Sequence, residues 1–425
     1  MKKFIAIFLS LVLLVCLCGC GNEKPTHKKK RIKKIIVVEE EENNTSSVKS
    51  KKQDNSENDD GDFEYIEEDD DDDGDIIAET ELNLTTTKIA LKKSASNIGE
   101  NYYIFSPEVM HPGVVGMDAH YRMIAKDRRG REIPADRIII SCADKRIEIS
   151  GVDVVIPYAV RSKLQPIEVS MYDKSYPNRT AKYTFKFRKF SKNTTFNDDF
   201  DTYNTDVWSS TWYDGVEPGT VKDGKYIMHM DSVDTKPNVI STSGKFSQSY
   251  GCFSSRILMT DCGLNNVAFW LCTDYVNPKD NKSGHLEYIR NPYRPNQSGG
   301  EIDIIEYSPT WGSRYAATHH WYGWSNYHRQ NGKEGLTIPG ADFGAEYHIY
   351  SLVWTETTLY WYLDEYLMWS DSGEGVGSGA MVLLLQLTNY TEDASWIGTF
   401  ENIYPYEAKV DWVRVWSLDD AKTDK

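Results

Sequence analysis

Short runs, some alternating between apolar and polar positions and some continuously apolar, recur along most of the folded part of the chain. Between residues 82 and 190 such runs fall at 88–91, 137–140, 146–149, 154–156 and 183–187. Turn signals separate them, among them Asp127-Arg128-Arg129-Gly130 and Tyr176-Pro177-Asn178. A two-residue period marks a strand with one buried face. Several strands of this length predict a small immunoglobulin-like β-sandwich over 82–190. From 192 to 418 the runs lengthen, at 226–230, 251–259, 267–273, 347–354, 358–363, 381–387 and 410–416. They predict two large antiparallel sheets stacked face to face, so the chain reads as all-β.

The N-terminus follows a different pattern. Met1-Lys2-Lys3 is a basic start, and the apolar stretch 4–17 is too short to span a bilayer comfortably. It runs into Leu17-Cys18-Gly19-Cys20, which resembles the lipobox of bacterial lipoproteins. That resemblance implies a signal peptide over 1–20, lipidation of Cys20, and a lipid anchor holding the protein to the extracellular face of a bacterial membrane. An ordinary cleaved signal peptide is the alternative, and both readings imply export. Residues 21–81 read as a disordered, charged stalk. The basic run 28–34 suits anionic headgroups or plain solvation. Residues 54–81 hold sixteen Asp or Glu and no Lys or Arg, a composition that repels itself and buries nothing.

Composition sharpens the reading of the last region. All 12 Trp lie between Trp208 and Trp416, and the chain has 27 Tyr. Indole and phenol faces serve a large core or stack on sugar rings. The seven Cys contain no CxxC pair, so neither a zinc site nor a dense disulfide framework is indicated. One bridge, Cys252–Cys262, stays open. No phosphate loop, nucleotide motif or Ser-His-Asp arrangement is present. No nucleic-acid partner is expected, and the chain is expected to be monomeric.

The candidate chemistry lies in Gly299-Gly300-Glu301-Ile302-Asp303-Ile304-Ile305-Glu306-Tyr307. Side chains alternate faces along a strand, so Glu301 and Asp303 share one face while Ile302 and Ile304 pack behind it. Glu306 falls on the wrong face of a regular strand. One extra residue at Ile304-Ile305, a β-bulge, returns it to the face of the other two acids. Three crowded carboxyl groups push their pKa values apart, which yields one ionised nucleophile and one protonated acid. A retaining glycosidase needs that pair. A solvated acidic strand is opposed by the flanking isoleucines, and a hard-cation site by the lack of a ligand loop.

Ordered markers surround this motif: Phe196-Asn197-Asp198-Asp199-Phe200-Asp201, Tyr250-Gly251-Cys252-Phe253 with Arg256, Ala268-Phe269-Trp270-Leu271, Tyr360-Trp361-Tyr362-Leu363-Asp364, and residues 410–416. Together they resemble glycoside hydrolase family 16, in the branch with the bulged ExDxxE motif. The resemblance implies a concanavalin A-like β-jelly roll with the cleft on its concave sheet, and a retaining endo-hydrolase. By position Glu301 is then the nucleophile, Asp303 its helper and Glu306 the acid/base. Trp270 would stack on a sugar or serve the core. His320 and Tyr322 would line the cleft near the acid/base, and Gln386 with Thr388 would sit on a neighbouring strand. No cofactor is implied for catalysis. A structural calcium on the convex face is implied by the resemblance, held by Asp411 and by carbonyls near Asp199 and Gly224; Asp411 reads equally as a plain strand-end hydrogen-bonding residue.

Charge bears on the substrate. Residues 192–425 carry 17 Lys or Arg and 32 Asp or Glu. A module this acidic repels a polyanion, so a neutral glucan, β-1,3 or mixed β-1,3/1,4, fits better than a sulfated galactan. Residues 295–300 lack the Trp-Pro common before the motif in laminarinases, which leaves neutral galactan or mucin-type glycan open. A transglycosylase and a non-catalytic binding protein on the same fold are the competing classes. Retention of both Glu301 and Glu306 speaks against the latter.

Overall fold

The computed structural model describes residues 102–210, 215–273, 300–322, 328–373, 375–390, 397 and 403–421, with Tyr322 and His328 described by backbone only. The leader with Cys20, the stalk 21–81, the run 88–91 and residues 295–299 lie outside the described residues. No helix among the described residues is long and apolar enough to cross a membrane.

The first module contains β1 (Tyr103–Pro107), β2 (Ala119–Asp127), β3 (Ile138–Cys142), β4 (Glu148–Ser150), β5 (Asp153–Ile156), β6 (Ile167–Asp173) and β7 (Tyr176–Phe185). They form sheets of order β1-β2-β5-β4 and β3-β6-β7. That is the strand order of a seven-stranded immunoglobulin sandwich of constant type. Alternation makes its core: Tyr121, Met123 and Ala125 of β2 face Val169 and Met171 of β6 and Phe185 of β7 in one buried cluster.

The second module contains β8 (Phe196–Asp198), β9 (Thr220–Lys222), β10 (Lys225–Met230), β11 (Asn238–Ser241), β12 (Gly251–Leu258), β13 (Asn265–Thr273), β14 (Glu301–Tyr307), β15 (Tyr315–Tyr322), β16 (His328–Leu336), β17 (His348–Trp354), β18 (Thr358–Leu363), β19 (Tyr366–Ser372), β20 (Met381–Asn389) and β21 (Tyr406–Trp416). One sheet runs β19-β18-β17-β12-β21-β10-β9, with β8 also paired to β21. The other runs β11-β20-β13-β14-β15-β16. Every pairing between these strands is antiparallel. Ile302, Ile304, Phe269, Leu383 and Leu385 of the six-stranded sheet meet Phe253, Leu352, Trp354, Trp361 and Val413 of the larger one. This is the all-β jelly-roll sandwich expected from the sequence.

The two modules are packed together rather than strung on a linker. Val114 and Val115, between β1 and β2, bury against Cys252, Val353 and Tyr362 on the outer face of the larger sheet. Arg161 fastens this loop: its guanidinium donates to the carbonyls of Pro112 at 2.7 Å, Val114 at 2.6 Å and Met117 at 2.9 Å. Gly113 has φ +72°, and a Cβ there would come within 2.9 Å of the Arg161 guanidinium carbon. The Gly113 amide donates to the Tyr362 hydroxyl, which in turn bonds His111 Nδ1, both at 3.2 Å. Burial pulls the His111 imidazole down to about 4, so it accepts as a neutral ring.

Two open readings of the sequence bear on this module. Cys252 and Cys262 are both free thiols, because Cys252 is committed to the module junction while Cys262 packs against the sandwich core. The residues expected to hold calcium are already paired with cations. Asp411 takes Lys225 Nζ at 2.7 Å and Arg256 Nη1 at 2.5 Å, and Asp199 takes Arg414 at 2.7 Å. A dication approaching Asp411 would meet two positive groups, so this donor set does not fit one.

Arg161 is 2% exposed, and its removal would strand three buried carbonyls. Arg161→Ala is expected to destabilise the chain by roughly 3 kcal/mol or more. Denaturant unfolding measures this, and a change below about 1 kcal/mol would show that water replaces the clamp.

Candidate active site

The three acids are brought together by one irregularity in β14. Phe269 of β13 pairs with Ile305, yet the next residue, Trp270, pairs with Asp303. On the other flank Asp303 pairs with Thr318 and Glu306 with Ala316, three residues against two. The extra residue is the bulge expected at Ile304-Ile305. Ile302, Ile304, Ile305 and Tyr307 all enter the core, and Glu301, Asp303 and Glu306 are left on the opposite face. Gly300 allows the strand to begin, since a Cβ there would lie 2.1 Å from the His320 carbonyl oxygen.

A bulge leaves part of the ladder unpaired, and the far sheet supplies a substitute. Trp361 Nε1 of β18 donates across the core to the Asp303 carbonyl at 2.9 Å. Trp361 is wholly buried and stacks on Trp369 with ring centroids 4.2 Å apart. The backbone between the acids is therefore held from behind by a rigid indole.

On the acid face, His320 lies opposite Glu301. Its Nε2 is 3.2 Å from Asp303 Oδ2 and 4.0 Å from Glu301 Oε1. The sequence reading placed it near Glu306; the register places Ala316 there and moves His320 to the Glu301 end. Trp270 sits opposite Asp303, half-buried at the edge of an apolar cluster of Val239, Cys272, Val382 and Leu384. Gln386 lies opposite Ala268, which itself lies opposite Glu306, and its amide donates to Thr388 Oγ1 at 2.9 Å. The side chain of Tyr322 lies outside the described residues.

Burial dominates the electrostatics. It pushes Glu301 up to about 8, with the Asp303 and Glu306 charges adding to the rise and His320 opposing it. Burial alone lifts Asp303 to about 7. Glu306 rises to about 8 through burial and then Asp303, opposed by His320 and by the Asn266 amide 3.5 Å from its Oε1. Asp303 is the deepest, with 6% of its side chain exposed against 38% for Glu301. Three such groups do not all ionise at neutral pH, so the face holds carboxylate and carboxylic acid together. Glu301, Asp303 and His320 each also offer a metal-ligand atom, all within 4.8 Å of one another.

Two participants escaped the sequence reading. Asn266 shares the alternation of Ala268 and Trp270, so strand parity alone would have found it. Trp361 leaves no such signal, because it acts from the other sheet.

No family model matches this chain. Over 182 residues it is 26% identical to the clotting factor G alpha subunit of Tachypleus tridentatus, covering 42% of this chain but only 24% of that protein. Among solved structures, the laminarinase catalytic domain of Thermotoga maritima aligns with TM-score 0.41 and 18% identity, over 54% of this chain and 98% of that one. The endo-β-1,3-glucanase of Pyrococcus furiosus aligns with TM-score 0.41 and 18% identity, over 54% and 95%. A GlcNAcα1-4Gal releasing endo-β-galactosidase of Clostridium perfringens gives TM-score 0.41 and 18% identity, over 55% and 64%.

Acids whose folded pKa is raised bind more protons in the folded than in the unfolded state between pH 4.5 and about 8. Stability from this cluster is then full at low pH and falls as pH rises through that window. Glu306→Gln should therefore raise the melting temperature at pH 8 more than at pH 5. An equal change at both would show that Glu306 is not held protonated. Trp361→Phe keeps the ring but strands the Asp303 carbonyl, and should destabilise the fold by about 1–3 kcal/mol in denaturant unfolding.

Proposed function

We propose that this chain is a retaining, endo-acting glycoside hydrolase of neutral β-1,3- or mixed β-1,3/1,4-glucan. The observation that carries this reading is the bulge, which sets Glu301 and Glu306 on one outward face with Asp303 between them. A Glu301 oxygen attacks the anomeric carbon while Glu306 gives its proton to the departing glycosidic oxygen. Glu306, now a carboxylate, then takes a proton from water, which displaces Glu301 and frees the sugar. Asp303 and His320 set the charge on Glu301: the imidazole bonds Asp303 and lies 4.0 Å from the nucleophile. Trp270 offers an indole beside the reacting centre, where a sugar face stacks.

The substrate assignment rests on charge. The acidic module disfavours a sulfated chain, and a neutral glucan meets no such repulsion. Export and a lipid anchor at Cys20 are part of the same proposal and would set the enzyme on polymer outside the cell.

Reducing-end release from laminarin, lichenan, agarose and κ-carrageenan tests the reading. Activity is expected on the two glucans, and Glu301→Ala should lower it by at least about 10³-fold. Activity confined to a galactan would keep the mechanism and overturn the charge argument. Binding without turnover on any would favour a non-catalytic role. Because Glu306 must carry a proton, kcat/KM should fall as pH rises through its raised pKa, on a limb well above the usual carboxylate range. A limb near pH 4.5 would contradict a buried acid. Undiminished activity in EDTA is expected, and its loss would redirect attention to Glu301, Asp303 and His320 as metal ligands.

A further inference from the structure

The larger sheet carries a cation of its own where calcium was expected, and this feature is independent of the reaction proposed above. Lys222-Asp223-Gly224-Lys225 is a two-residue hairpin between β9 and β10, with Asp223 at φ +53° and Gly224 at φ +67°. This turn places the Gly224 carbonyl 3.2 Å from Lys225 Nζ. Tyr226 pairs with Val410, so Lys225 comes opposite Asp411 one step further along. Asp411 is itself an extra residue: Arg256 pairs with Trp412 and Ile257 with Val410, which leaves Asp411 unopposed on the β12 side. Its Oδ1 takes the ammonium at 2.7 Å and its Oδ2 the Arg256 guanidinium at 2.5 Å. The Tyr347 ring lies 4.5 Å from the Arg256 guanidinium carbon and braces it. Asp199 close by is matched by Arg414.

We propose that the Lys225 ammonium permanently occupies the cation position of this face and makes the fold independent of calcium. Lys225 engages two of the three donors anticipated for the ion, the Asp411 carboxylate and the Gly224 carbonyl, and an ammonium carries three N–H groups for such contacts. Lys225 and Arg256 already sit on the two oxygens of Asp411, and Arg414 on Asp199, so a dication would have to displace these cations or meet their repulsion. The ammonium ties the β9–β10 turn to β21 at the point where the β12–β21 ladder is interrupted. A metal would make the same tie, but one that a chelator could remove.

Scanning calorimetry of the full chain, in EDTA and then in millimolar calcium chloride, tests this directly. The native protein should melt at one temperature in both. Lys225→Ala should melt lower in EDTA and recover by about 3 °C or more with calcium. Titration calorimetry should then show calcium binding to Lys225→Ala that is absent from the native protein. Lys225→Arg, which keeps the charge, should stay indifferent to calcium. Calcium binding or calcium-dependent melting of the native protein would overturn the proposal. A folded Lys225→Ala that ignores calcium would overturn it too. If that variant fails to fold, the native protein and Lys225→Arg still decide, because calcium dependence in either refutes the substitution of metal by lysine.

Discussion

One extra residue in β14 governs the site. Without it Glu306 would enter the core and an isoleucine would face solvent, each at a large free-energy cost. With it, Ile304 and Ile305 both pack inward and three acids point outward. The displaced Asp303 carbonyl is claimed by Trp361 from the opposite sheet. The sandwich core and the acid face are therefore coupled: the indole that fills the interior also fixes the backbone between Glu301 and Glu306. Burial of the bulged segment from behind explains how a strand, rather than a loop, carries the chemistry.

The same burial sets the charge state. Desolvation raises all three acids, repulsion from neighbouring carboxylates adds to it at Glu301 and Glu306, and His320 opposes the rise at both. Glu306 in addition meets the amide of Asn266, 3.5 Å from its Oε1. Elsewhere charge is handled conventionally: Asp411 and Asp199 on the larger sheet each meet a basic side chain.

Much of this was legible in the residues. Strand parity located most of the strands, and the misplaced parity of Glu306 announced the bulge. The resemblance carried Trp270 and Gln386 to the correct face. What parity does not encode is register between strands. His320 was assigned the right face but the wrong neighbour, because its position depends on where β15 aligns against β14. Contacts between sheets are less visible still, so Trp361 was read only as a marker and Cys252 as a disulfide candidate. Asp411 was read by analogy as a calcium ligand. The analogy could not see that Lys225, directly after Gly224, brings a competing charge to the same carboxylate. The junction built by Arg161 likewise joins segments far apart in sequence, so strand patterning does not show that the first module is fastened to the second.

Labelling with a slow, 2-deoxy-2-fluoro glucoside bearing an activated leaving group, followed by peptide mass spectrometry, is the most direct measurement. A nucleophile at Glu301 predicts one stable glycosyl adduct on the peptide containing residues 300–307, located at Glu301 and lost in Glu301→Gln. An adduct on Glu306, or steady turnover of the reagent with none trapped, would contradict the assignment of roles on this face.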